Sequence, residues 1–243
     1  MHFRSDLPAA RAAGVPAAMP ATSSAWRTAP LGWAVGLFPL AVLFLLGLPA
    51  MADAEPLDPE RSAQLEHGTV DQRAQVLLWL ADHGDQTTAH AVLLRLKDPD
   101  ASIRGLADHA VWAIWMRSGD AELDRLMQVG IGLMGDQDYK EAVAVFSDVV
   151  NRNAGFAEGY NKRATLYYLL GDYLHSLADV DATLKYNPEH FGALSGAGLC
   201  LLRLSRPEEA LAYFDRALAI NPNLESVRFM AEQLRKAKAK PLI

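Results

Sequence analysis

Three consecutive windows of 34 residues, Leu123–Phe156, Ala157–His190 and Phe191–Leu224, carry the same residue types at the same offsets without a gap. Counting each window from 1 to 34, position 4 reads Leu126, Tyr160 and Leu194, and position 8 reads Gly130, Ala164 and Gly198. Position 20 reads Ala142, Ser176 and Ala210; position 24 reads Phe146, Val180 and Phe214; position 32 reads Ala154, Pro188 and Pro222. A period of this length describes one supersecondary unit whose apolar face is completed only by its neighbours, so the chain must stack rather than wrap around a single core. Small residues recur where two helices touch and large ones where they lock. The breakers divide each window into a helix A over positions 1–14 and a helix B over 17–30. Gln137-Asp138-Tyr139 and Gly171-Asp172-Tyr173 turn the first two hairpins, Pro207 opens helix B of the third, and Pro188 and Pro222 end units.

This pattern resembles the tetratricopeptide repeat family. The resemblance implies an all-α fold, a right-handed α-solenoid of helix-turn-helix repeats whose A helices line a concave side. Ser176 stands for the usual alanine at position 20, Thr183 for the alanine at 27 and Ala154 for the proline at 32. After the third window, Glu225–Lys238 sets Val227, Met230, Ala231 and Leu234 on one side and Arg228, Glu232, Arg235, Lys236 and Lys238 elsewhere, the pattern of a C-terminal capping helix, with residues 225–243 as cap and tail.

In that family, positions 2, 5, 9 and 12 of helix A face inward. Here they are Asp124, Met127, Ile131 and Met134, then Glu158, Asn161, Thr165 and Tyr168, then Gly192, Ser195, Leu199 and Leu202. The candidate groove is accordingly Met127, Ile131, Met134, Glu158, Asn161, Thr165, Tyr168, Ser195, Leu199 and Leu202. Methionine suits a surface that accepts varied apolar side chains. Some family members hold a peptide's terminal carboxylate with lysines and asparagines; only Asn161 matches, so no such clamp is expected. The implied ligand is an extended or helical apolar segment, with Asn161 free to bond a peptide backbone. The competing reading has Met127, Ile131, Leu199 and Leu202 packing against neighbouring helices. Lys162-Arg163 reads as a solvated or helix-bridging pair, and Glu208-Glu209 and Asp179 with Asp181 as solvated charges on helix B.

Upstream, residues 53–69 are acidic, proline-bearing and weakly periodic, and read as a linker or a frayed first helix. Spacings of three and four predict helices over 70–81, 86–96 and 101–117. Ala91, Val92, Leu94 and Leu96 form the apolar side of the second, and Ile103, Leu106, Ala107, Ala110, Val111, Ile114 and Trp115 that of the third. The string Asp98-Pro99, Ile103, Arg104, Ala107 resembles a HEAT-type repeat, which implies that the arginine and an aspartate tie adjacent turns. Residues 70–118 thus form a HEAT-like segment ahead of three repeats over 119–224. Trp112 and Trp115 are expected in the core, sealing the junction with the first repeat helix so that both parts make one solenoid.

The uncharged run Leu31–Ala50 follows Arg27 and leads into Ala50-Met51-Ala52, with Asp53 and Glu55 beyond. These features predict an export leader over residues 1–52, cleaved after Ala52, with Met19 as the expected true start because thirty residues are long for a charged flank. The alternative is an uncleaved anchor, since about 20 apolar residues span a bilayer. No twin arginine and no lipidation cysteine accompany the run, which points to the general export route and the bacterial periplasm, or to an inner-membrane anchor facing it. Net charge is −6, and loss of Arg4, Arg11, Arg27 and Asp6 with the leader makes the rest more acidic, which argues against nucleic acid as partner. The lone Cys200 cannot form an internal disulfide and is expected to be buried. His83 and His90 lie seven apart with Gly84 between, and neither they nor any nucleophile or phosphate-loop motif suggests catalysis, a metal or a cofactor. The function expected is that of an exported interaction module binding a segment of an envelope protein. The alternative is a structural subunit of a larger assembly that uses the HEAT-like segment or the cap as its interface, leaving the groove empty or filled by the chain's own linker.

Overall fold

A computed structural model describes residues 57–239; the export leader read over residues 1–52 lies outside the described residues. Eleven helices follow one another among them: α1 (Pro59–His67), α2 (Val70–His83), α3 (Ala89–Arg95), α4 (Ala101–Trp115), α5 (Ala121–Gly135), α6 (Tyr139–Arg152), α7 (Ala157–Leu169), α8 (Tyr173–Tyr186), α9 (Phe191–Arg203), α10 (Pro207–Ile220) and α11 (Glu225–Ala239). None is long and apolar enough to cross a membrane. The stretch read as a linker or a frayed first helix contains α1, because Asp58 accepts from the Arg61 amide, Pro59 occupies the first turn and Leu65 is buried. Thr69 and Gln72 form a reciprocal capping box on α2, and Asp100 accepts from the Ser102 and Ile103 amides to start α4.

Helices α5/α6, α7/α8 and α9/α10 are the three hairpins, with α7 also packed directly on α9. Each hairpin turns at position 15 through a left-handed residue: Gln137 at φ 66°, Gly171 at 81° and Ser205 at 59°. Only the second repeat uses the residue without a Cβ penalty. Inside the hairpins, positions 8 and 24 are matched in size. A Cβ on Gly130 would lie 2.5 Å from the Phe146 ring and one on Gly198 2.3 Å from the Phe214 ring. Ala164, the larger residue at that position, meets the smaller Val180 in one apolar cluster.

The main departure from expectation is the course of α1–α4. In α3 and at its C-cap the core takes Ala89, Val92, Leu93 and Leu96, with Ala91 packed against it; of the apolar side read in sequence only Leu94 is exposed, its place taken by Leu93. All seven α4 residues read as apolar face the core or its margin. That core is shared with the third repeat and the cap: Trp115, Ile114 and Leu96 belong to one cluster with Phe191, Leu194, Phe214, Val227 and Leu234. The first repeat has its own cluster around Met127, Phe146, Phe156 and Leu166. Polar contacts repeat the link. His90 meets Glu189 at 2.9 Å, Asn221 donates to Asp108 at 2.9 Å, Arg104 donates to Asn223 Oδ1 at 3.1 Å, and Asn223 donates to the Leu96 carbonyl at 2.7 Å. Trp112 and Trp115 therefore do not seal the junction with the first repeat helix; they seal the chain's early helices onto the third repeat. The side chains of the HEAT-type arginine and aspartate do not pair with each other. Arg104 donates to the Asp98 and Pro99 carbonyls at 2.9 and 3.1 Å, and Asp98 pairs with Arg73 of α2 at 3.0 Å.

Candidate functional site

The inner positions divide into a filled half and an open half. The filled half begins with Gly192. A Cβ there would come 2.6 Å from Trp112, so glycine at this inner position admits the indole that α4 brings across. Trp115 stacks on His190 with centroids 4.2 Å apart and planes at 21°, and Trp112 meets Phe191 edge-on at 5.4 Å. The Lys162 ammonium sits 5.6 Å from the centre of the Trp112 ring.

Beside the two indoles lies a charged cluster whose carboxylate and imidazole are sealed from solvent. Glu158 and His190 side chains are both 0% exposed, with His190 Nε2 2.8 Å from Glu158 Oε2. Lys162 reaches the other oxygen at 2.9 Å, and the Asn161 amide donates to both at 3.2 Å. His190 Nδ1 accepts from the Ala193 amide at 3.0 Å and caps α9, so the ring proton belongs on Nε2, where it donates to Glu158. Burial alone would push the Glu158 carboxyl up; the Lys162 charge and the His190 contact overcome it and bring it down to about 2.

These contacts correct the expected groove at specific positions. Met127, Glu158 and Asn161 are buried. Met127 packs with Phe156 and Leu166, and the Asn161 amide is spent on Glu158 rather than turned to a peptide. Ser195 stays half-buried, its hydroxyl donating to the Phe191 carbonyl of its own helix at 2.8 Å. Ile131, Met134, Thr165, Tyr168, Leu199 and Leu202 remain half-buried. They are positions 9 and 12 of the three A helices. Thr165 donates to the Asn161 carbonyl at 3.0 Å, and Tyr168 accepts from Arg203 Nε at 3.3 Å.

Elsewhere the departures from the repeat pattern have partners. Ser176 donates to the Ala164 carbonyl at 2.8 Å and meets Cys200 Sγ at 3.1 Å, so the hydroxyl serves two adjacent helices. Cys200 is buried, and burial pushes its thiol up. Thr183, fully buried, donates to the Asp179 carbonyl at 2.8 Å. Asp179 is not a solvated charge. It is buried and takes a two-pronged contact from Arg163 at 2.7 and 2.8 Å, while Arg163 also reaches Ser147 of α6 at 3.1 Å. Arg163 is thus helix-bridging, whereas Lys162 pairs with Glu158 of its own helix and reaches α4 only through the Trp112 ring. His83 rests on Trp79 and bonds its carbonyl, whereas His90 pairs with Glu189. Among the described residues no three metal-ligating side chains converge.

Residues 161–225 match the tetratricopeptide repeat family. A TPR repeat-containing protein of Rhizobium etli is 31% identical over 58% of this chain and 71% of its own length. Tetratricopeptide repeat protein 4 of Mus musculus is 32% identical over 44% of this chain, and Hsp70-Hsp90 organizing protein 3 of Arabidopsis thaliana 28% identical over 44%. Of these two the chain spans only 30% and 20% of the length. Among solved structures, the first TPR of Spaghetti (RPAP3) bound to an HSP90 peptide superposes with a TM-score of 0.48 at 20% identity, over 50% of this chain and 97% of that one.

Proposed function

The chain belongs to the tetratricopeptide repeat family, and from that premise we propose that it is a protein-binding module, not an enzyme, which takes an apolar segment of an envelope protein along the open half of its inner face. Protein–protein interaction is the common work of such arrays, and stacked repeats present an extended surface for it. The observation that carries the reading is the row Ile131, Met134, Thr165, Tyr168, Leu199 and Leu202: the same two positions in each A helix, half-buried, with Ile131, Met134, Leu199 and Leu202 packed against the apolar clusters beneath them, and without a lysine or an arginine among them. An amphipathic or extended segment docks on such a row through anchors at regular spacing. A photo-reactive residue at Tyr168 is expected to crosslink a discrete partner from envelope extracts, and one at exposed Arg216 is not. Equal labelling from both positions would sink the groove reading.

The compartment belongs to the same proposal and rests on the apolar run Leu31–Ala50 and the small residues before Asp53. Sequencing of the accumulated product should begin at Asp53. An intact product in the membrane fraction would mean a tethered module instead. The structural-subunit reading keeps one observation in its favour, that α4 already fills part of the inner face. It expects co-purification with a partner to survive Tyr168→Ala.

A further inference from the structure

Position 31 is asparagine in all three windows: Asn153, Asn187 and Asn221. Each ends a B helix, and each uses Oδ1 in the same way, accepting the amide two residues on: Gly155 at 3.0 Å, Glu189 at 3.2 Å and Asn223 at 3.0 Å. That leaves three equivalent Nδ2 groups along one edge of the array. The third has a partner. Asn221 Nδ2 donates to the carboxylate of Asp108 on α4 at 2.9 Å, although burial pushes that carboxyl up and makes its charge harder to hold. The other two donate to nothing among the described residues.

Asn153 and Asn187 are both among the residues that line a cavity of about 280 Å³ between the end of α4 and the loops that start the second and third repeats. Trp115, Phe156 and Tyr186 supply its apolar walls, and Arg117 is the one arginine or lysine among its lining residues. Arg117 is held by donating to the Gly84 and Ala81 carbonyls, and its positive charge faces Asp82 and Asp124 across the fold. Glu158, which also lines the cavity, spends its charge on Lys162 and His190. The rim is accessible, with Gln86 and Gly155 exposed and Tyr186 at 41%.

We infer that this cavity binds a carboxylate, with Asn153 and Asn187 donating to it as Asn221 donates to Asp108, and Arg117 supplying positive charge. A charged acceptor makes such bonds stronger than a neutral one. The site is separate from the inner row of Thr165 and Tyr168, so it stands or falls apart from the groove. A side chain of glutamate or aspartate on a partner and a free small dicarboxylate present the same chemistry.

The test is calorimetric titration of the chain with succinate, with the acidic peptide Ac-Ala-Glu-Ala-Glu-Ala-NH2 and with its glutamine counterpart. The variant is the double substitution Asn153→Asp, Asn187→Asp. It keeps Oδ1 for the Gly155 and Glu189 amides and so preserves the turns, but it replaces both donors with negative charge. Saturable binding of a carboxylate probe, with affinity falling about tenfold or more in a variant of unchanged helicity, is the expected result. Binding of succinate alone assigns the site to a free small carboxylate, and binding of the acidic peptide assigns it to a protein side chain. Absence of saturable binding by either carboxylate, equal binding of the glutamine peptide, or undiminished affinity in the variant would overturn the assignment.

Discussion

Glu158 shows how much one side chain can hold in a solenoid of short-range contacts. Its folded carboxyl lies at about 2 against an ordinary 4.5. A lowered carboxyl contributes stability that is complete above about pH 4.5 and is lost as the pH falls toward 2. The Tm of the wild type should therefore drop across that window more steeply than that of Glu158→Gln, which has no carboxyl to protonate at this site. At pH 7 the variant should be less stable by about 1.5–3 kcal/mol, the worth of a hydrogen bond to a charged group. Parallel Tm profiles for the two proteins would show that the cluster contributes nothing through its charge. The cluster was hidden in sequence because Glu158 and Asn161 hold inner positions that a ligand normally visits. The one legible clue was Gly192, an absent side chain where the other two repeats have Asp124 and Glu158.

At the level of helix pairs, the sequence is far more readable. The hairpin helices α6 to α10 begin where the 34-residue register puts them, since position 17 or position 1 of a window follows a turn each time. Periodicity also found α2 and α4, because long helices average over many apolar positions, whereas the seven-residue α3 gave too few to choose Leu93 over Leu94 for the buried side. What periodicity cannot supply is which repeat α4 returns to, since a buried stripe names no partner. The size match between positions 8 and 24 is open to direct measurement. Gly198→Ala gains about 1 kcal/mol of helix propensity but overpacks Phe214 by about 1–3 kcal/mol, so a net loss of about 1 kcal/mol is expected in denaturant unfolding. The double variant Gly198→Ala, Phe214→Val copies the second repeat, and the two changes should couple favourably by about 0.5 kcal/mol or more in a double-mutant cycle. Simple additivity would mean that the Phe214 ring has room to move.

Across the molecule, the contacts of Leu96, Arg104 and Asp108 with Asn221 and Asn223 join residues more than a hundred apart in the chain. A repeat array normally unfolds as a series of near-neighbour units. Here the apolar core that carries Trp115 also carries Phe214 and Leu234, so unfolding one end removes the support of the other. Indole fluorescence, which among the described residues reports on Trp79, Trp112 and Trp115, and far-UV circular dichroism, which reports on all helices, should give coincident thermal transitions. An indole transition well below the helical one would mean that α1–α4 detaches alone. The same closure has a consequence for how such a chain can change over generations. An open array lengthens by duplicating a unit at little penalty, because each new unit needs only the one before it. In this protein a fourth unit inserted among the three would carry Asn221 and Asn223 away from Asp108 and Arg104, and a deleted unit would leave α4 facing the wrong neighbour. The number of repeats is thus set by the reach of the early helices, and the architecture that usually grows by addition is here held at three.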